Sequence, residues 1–296
     1  MANKVRSSDR RTIAQAITLI ESTRPDHRAL AEQLLSDLLD DTGKTIRLGV
    51  SGPPGVGKST FIETLGLYVI EKRHKLAVLT VDPSSTLSGG SVLGDKTRME
   101  RLTRESDVFI RPSPSGSTLG GVARRTREAM LVCEAAGHDI VIVETVGVGQ
   151  SETAVRDMVD MFILLTQPAG GDELQGIKRG VVELADLLLV NKADGELLTA
   201  AQRTQTEYSN ALQLLRHASP DWTTPVLTCS ALYETGIDAV WDTINDYHMM
   251  MSKNEALQER RRKQAIAWMW AEVRVALNEQ FRASPVVADK IEDLET

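Results

Sequence analysis

The residues best equipped for chemistry lie in one run, Gly52-Pro53-Pro54-Gly55-Val56-Gly57-Lys58-Ser59, which matches the phosphate-binding pattern GxxxxGK[ST] without a gap. Its glycines let the backbone curl round a phosphate and aim N–H groups inward. Lys58 is then the cation for the β- and γ-phosphates, Ser59 the hydroxyl for Mg²⁺, and Thr60 a contact for a phosphate nearer the nucleoside. Such a loop needs a strand to deliver it and a helix to leave it. Ile46-Arg47-Leu48-Gly49-Val50 supplies the first, and Phe61, Leu65 and Tyr68-Val69, at helical spacing, supply the second. The chemistry implied is binding of a nucleoside triphosphate.

A second motif chooses the base. Asn191-Lys192-Ala193-Asp194 follows the apolar run Leu187-Leu188-Leu189-Val190. A carboxylate at Asp194 accepts hydrogen bonds from both N1–H and the exocyclic amine of guanine, whereas adenine offers an acceptor at N1 and is repelled. Asn191 is placed to tie the base loop to the phosphate loop, and the Lys192 stem to lie on the purine. Ser230-Ala231-Leu232, after the run ending at Cys229, fits a loop whose backbone meets guanine O6. The two motifs together predict GTP and GDP as ligands rather than ATP.

Between them should lie the groups that sense the γ-phosphate. The buried run Asp139-Ile140-Val141-Ile142-Val143 ends in Glu144 and, three residues on, Gly147, the pattern of a G-protein switch with Glu for the usual Asp. Glu144 either binds Mg²⁺ through water or holds the attacking water. The Gly147 amide is the expected γ-phosphate sensor. Val148 stands where Ras-like proteins place a glutamine and cannot orient water. Gln150 is either its substitute or a polar loop residue, so slow intrinsic hydrolysis, accelerated by a partner, is expected. Asp82, after the run 75–81, is a Mg²⁺ or water ligand or else the start of an Asx turn. The glycine-rich stretch 88–91 leads to Asp95-Lys96-Thr97-Arg98, an acid and two cations suited to a second switch. Gln167 to Lys178 reads as a third mobile loop or an ordinary surface connection.

The elements that must position these residues divide the chain into three. Residues 1–44 carry helical periodicity with a break at Pro25. Residues 45–250 alternate helical patterns with apolar runs at 45–51, 75–81, 107–111, 139–144, 160–166, 186–191 and 224–229. Runs apolar on both faces predict a doubly wound, mostly parallel α/β sheet. Residues 251–296 place Ile266, Met269-Trp270, Val273, Leu277 and Phe281 three and four apart on one helix, which either caps its own domain or packs on a second copy.

Composition narrows the class further. Lys and Arg total 34 against 41 Asp and Glu, a net charge of −7, which argues against a general nucleic-acid binder. Cys133 and Cys229 stand far apart in apolar stretches, so both read as buried thiols rather than a disulfide or a metal knuckle. The polar start Met1-Ala2-Asn3-Lys4-Val5-Arg6 and the lack of a long apolar run predict no membrane association and a cytoplasmic location.

In this order, GPPGVGKST, VDPSS, GDKTRM, ETVGVGQSE, QPAGGDELQGIK, NKAD and SAL resemble the G-protein chaperones of adenosylcobalamin-dependent methylmalonyl-CoA mutase, the bacterial MeaB/ArgK proteins and human MMAA. The resemblance spans essentially the whole chain. It implies a P-loop GTPase of the signal-recognition and MinD-related class, a homodimer that binds the mutase and uses GTP hydrolysis to gate cofactor loading and release of damaged cofactor. It also implies that Gly52 to Thr60 bind phosphate and that Asp82, Asp95 and Glu144 surround Mg²⁺ and the γ-phosphate. Asn191, Lys192, Asp194 and Ser230 to Leu232 would bind guanine, the loop 167–178 with Lys178 would communicate with the partner, and the C-terminal helix would be the dimerisation arm. Two rivals differ in class. A metallochaperone GTPase would need Cys/His clusters, whereas the five histidines here are scattered. A small-molecule kinase or transport-linked ATPase has no use for NKAD.

Overall fold

The computed structural model describes residues 1–81, 99–112, 119–145, 151–168, 179–213, 222–284 and 287. Seven strands, β1 (Ile46–Ser51), β2 (Leu76–Val81), β3 (Val108–Pro112), β4 (Ile140–Thr145), β5 (Met161–Thr166), β6 (Leu187–Val190) and β7 (Val226–Thr228), form one sheet in the order β3-β2-β4-β1-β5-β6-β7. Every pairing is parallel. β2, β4, β5 and β6 are buried along their whole length, which is why their sequences read as continuous apolar runs rather than alternating ones. Each expected strand is present within a residue or two, except that the run 224–229 keeps only three residues of strand. It lies at the end of the strand order beside β6 and is preceded by Pro225, which has no N–H to give to a ladder.

The described helices are α1 (Ala2–Arg6), α2 (Arg10–Glu21), α3 (Pro25–Leu38), α4 (Lys58–Glu71), α5 (Glu100–Thr103), α6 (Leu119–Ala135), α7 (Ser151–Arg156), α8 (Arg179–Val182), α9 (Leu198–Gln213), α10 (Ile237–Lys253) and α11 (Ala256–Ala283). The N-terminal helices pack on α6: Val5, Ile13, Ile17 and Leu38 join Met130 and Cys133 in the cluster that also buries Ala77 and Val141 of the sheet. Asp9 caps α2 by accepting from the Thr12 amide at 2.7 Å, and that bond holds its carboxyl below the usual carboxylate range.

Three aspartates organise the amino-terminal edge of the sheet. Asp139, Asp160 and Asp186 directly precede β4, β5 and β6. Their Oδ2 atoms accept from the amides of Lys75 (2.8 Å), Arg47 (2.9 Å) and Phe162 (2.8 Å), at or near the starts of β2, β1 and β5. Beside them, Arg47 Nε meets Glu134 Oε1 at 2.5 Å in a nearly dry pair, and Glu134 Oε2 also accepts from the Gly43 amide. A buried charge is tolerable only when paired and hydrogen-bonded in this way.

The chain divides into two compact units, Met1–Met250 and Met251–Thr296. The second is dominated by α11, 28 residues long. On it Ile266, Met269, Trp270, Val273, Leu277 and Phe281 are all exposed, Trp270 by 54% and Phe281 by 62%. Among the described residues no helix is long and apolar enough to cross a membrane.

Candidate nucleotide site

β1 is central, and the loop leaving its carboxyl end turns into α4, the ligand edge of a doubly wound sheet. Gly57, the residue before α4, has φ +92°, and a Cβ there would stand 2.7 Å from Asn191 Nδ2. At Gly52 a Cβ would stand 2.5 Å from the Leu165 carbonyl oxygen on β5. The first position needs both an unusual backbone angle and room, the second chiefly room, and only glycine meets either demand. Val56 is buried, anchoring the loop, while Pro54 and Gly55 are exposed at its tip and Pro53 is half-buried.

Lys58 is 8% exposed, and its ammonium donates to the carbonyls of Gly52 (2.8 Å) and Pro53 (3.2 Å). A buried cation is thus held at the mouth of the loop beside the N-terminus of α4, where helix N–H groups have no intrahelical partner. Ser59 Oγ lies 3.3 Å from Glu144 Oε1 at the end of β4. A hydroxyl and a carboxylate are among the oxygen ligands that a hard cation such as Mg²⁺ accepts. Thr145 Oγ1, next along β4, donates to Ser51 Oγ at 2.7 Å and joins the ends of β1 and β4. Thr60 is exposed beside them.

The base-side residues are joined by side chains. Asn191 is 2% exposed; its Nδ2 donates to the Val56 carbonyl at 2.9 Å, and its Oδ1 accepts from the Ala231 amide at 3.0 Å. The Cys229 thiol also points at Oδ1, at 3.5 Å. Burial pushes that thiol up to about 12, so it is a protonated, weak donor. Lys192, at φ +60°, donates to Gly55 O at 2.7 Å and to Gln167 Oε1 at 3.3 Å, laying its stem from the base loop to the phosphate loop. Ser230 Oγ donates to Asp194 Oδ2 at 2.5 Å and accepts from the Tyr233 amide at 3.2 Å, so one Asp194 oxygen is fixed in direction. Leu232 is 71% exposed at the tip of that loop.

The structure therefore brings together Gly52 to Ser59, Glu144, Asn191, Lys192, Asp194, Ser230 and Ala231. Asp82, Asp95, Gly147, Val148, Gln150 and Lys178 lie outside the described residues. Sequence reasoning misses two partners. Gln167 reads only as part of a loop, and Thr64, on α4, belongs to no motif, although its hydroxyl donates to the Ala231 carbonyl at 2.8 Å. The one signal for Thr64 is a polar, β-branched residue set among the apolar buried residues Phe61, Ile62, Leu65 and Val69 of α4. Among the described residues no group of three or more His, Cys, Asp and Glu is placed to hold a metal ion.

A parallel sheet, a glycine loop opening onto a helix and a paired guanine-type loop define a P-loop GTPase. Comparison with known proteins agrees. The profile of a family described as methylmalonyl-CoA mutase-associated GTPase MeaB matches residues 13–286, and the chain belongs to that family. It is 55% identical over 296 residues to a putative GTPase of Caulobacter vibrioides, covering 100% of this chain and 90% of that one. To the mouse protein named methylmalonic aciduria type A homolog, mitochondrial, it is 50% identical over 292 residues, covering 95% and 70%. The crystal structure of a protein named LAO/AO transport system kinase superposes with a TM-score of 0.81 at 42% identity, covering 96% of this chain and 85% of the other.

Proposed function

We propose that this GTPase is a chaperone that binds adenosylcobalamin-dependent methylmalonyl-CoA mutase and gates the loading, protection and reactivation of its cofactor. The observation that carries the reading is membership, across residues 13–286, of a family whose description names the mutase. The name of the mouse relative points the same way.

Within this reading Lys58 and the Gly52–Thr60 backbone bind the phosphates. Ser59, with Glu144, Asp82 and Asp95, would hold Mg²⁺ or the water around it, and that ion would supply neutralising charge to the phosphate oxygens. Asp194 accepts from the guanine N1–H and amine, with its second carboxylate contact set by Ser230. Asn191 and Lys192 keep the base and phosphate loops in register. Ala231, held by Asn191 and Thr64, sets the 230–232 loop so that the Leu232 N–H faces O6, and Gly147 senses the γ-phosphate. Val148 in place of a glutamine makes basal hydrolysis slow, with Gln150 or the partner completing the site and Lys178 coupling to it. The exposed apolar face of α11 serves a homodimer, since contiguous aromatic and aliphatic exposure of this kind is costly in a monomer.

Single-turnover GTP hydrolysis, measured alone and with the mutase, tests the proposal. Acceleration that saturates with mutase supports it, whereas an unchanged rate with no complex formed removes the client. The similar protein named as a transport system kinase suggests a second reading, phosphoryl transfer to a transport protein. With a transport protein added to the same experiment, γ-labelled phosphate would then appear on that protein rather than as free phosphate.

A further inference from the structure

We infer that Thr64 is a positioning residue for base selectivity: through the Ala231 carbonyl it sets where the 230–233 loop stands relative to the phosphate loop. The inference rests on the reading of Asp194 and the 230–232 loop as the guanine site. Thr64 is 6% exposed and lies on α4, six residues beyond Lys58. Its hydroxyl reaches across 167 residues of sequence to Ala231 O at 2.8 Å instead of folding back onto its own helix.

The other side of the same residue is also held. The Ala231 amide donates to Asn191 Oδ1 at 3.0 Å, and Asn191 Nδ2 donates to Val56 O at 2.9 Å in the phosphate loop. Val56, Asn191, Ala231 and Thr64 thus close a ring that returns to the phosphate loop through α4. The Ala231 residue is gripped at both its N–H and its C=O, so the N–H groups that follow it in the loop have a fixed direction. That direction is what distinguishes a purine with a C6 carbonyl from one with a C6 amine, because an N–H donor is matched by the first and opposed by the second. Removing the Thr64 hydroxyl leaves a buried carbonyl without this donor and frees one side of the loop. Phosphate contacts made by the start of α4 are untouched.

The test is competition of GDP and ADP against a fluorescent guanine nucleotide, with the intact chain and with Thr64→Val and Thr64→Ser. Thr64→Val should lose about tenfold in GDP affinity while its weak ADP affinity is unchanged, narrowing the GDP-to-ADP ratio by the same factor. Thr64→Ser, which keeps the hydroxyl, should restore the ratio. An unchanged ratio in Thr64→Val, an equal loss for both nucleotides, or a narrowed ratio in Thr64→Ser overturns the inference. If the unsubstituted chain fails to prefer GDP over ADP, the guanine reading itself is wrong, a distinct result.

Discussion

At the phosphate end of the site, shape comes from the main chain: Gly52 and Gly57 admit neighbours at distances no side chain permits, and the Lys58 ammonium faces the loop's own carbonyls. At the base end, shape comes from side chains: Asn191, Asp194, Ser230 and Thr64 fix the two base loops through hydrogen bonds between segments distant in sequence. The contrast separates two jobs. On the proposed reading, the backbone cradle recognises any nucleoside triphosphate and tolerates little change in residue size, while the side-chain lattice discriminates among bases and is altered one hydrogen bond at a time.

The largest effect should come from the phosphate end. Lys58→Ala removes the cation proposed for the β/γ oxygens and should slow single-turnover hydrolysis by about 10²–10³-fold with guanine preference retained. Unchanged turnover would mean the phosphates are held elsewhere. At the base end, Asp194→Asn exchanges an acceptor for an amide donor and should cost GTP about 10–100-fold while improving xanthosine triphosphate, whose C2 carbonyl needs a donor there. Equal losses for both nucleotides would erase the proposed division of labour. The smallest effect belongs to neither end. His138 is buried, with Nδ1 2.8 Å from Cys133 O, and burial lowers its pKa below the ordinary 6.5. The unfolded chain therefore takes up this proton first as pH falls. The neutral ring's contribution is complete above pH 6.5 and is lost below it, at no more than about 1.4 kcal/mol per pH unit. Urea unfolding at pH 7.5, 6.5 and 5.5 should show that slope, and His138→Asn should remove it without changing nucleotide selectivity.

The sheet was legible because strands buried on both faces need no periodicity to be recognised, and apolar runs such as 139–144 and 160–166 have no competing reading of that length. The phosphate loop was legible as a contiguous string. The tie from Asn191 to the phosphate loop could be expected from the motif alone. The meeting of Ser59 with Glu144 could be expected from a shared Mg²⁺, but the contact of Thr64 with Ala231 was not legible, because it joins residues 167 positions apart and neither residue type announces its partner. The periodicity of residues 1–44 showed that those helices bury a face. Only the packing of α2 and α3 on α6 shows what they bury it against.

The aspartates ahead of β4, β5 and β6 act as end stops that count residues. Each takes an amide from a neighbouring strand or its entry, across three of the sheet's six pairings. A parallel pair that slid by one residue would turn its buried side chains to the wrong face and also strand a carboxylate without its donor. Misregistered assembly is thus penalised at the edge farthest from the phosphates, where negative charge does not oppose the nucleotide.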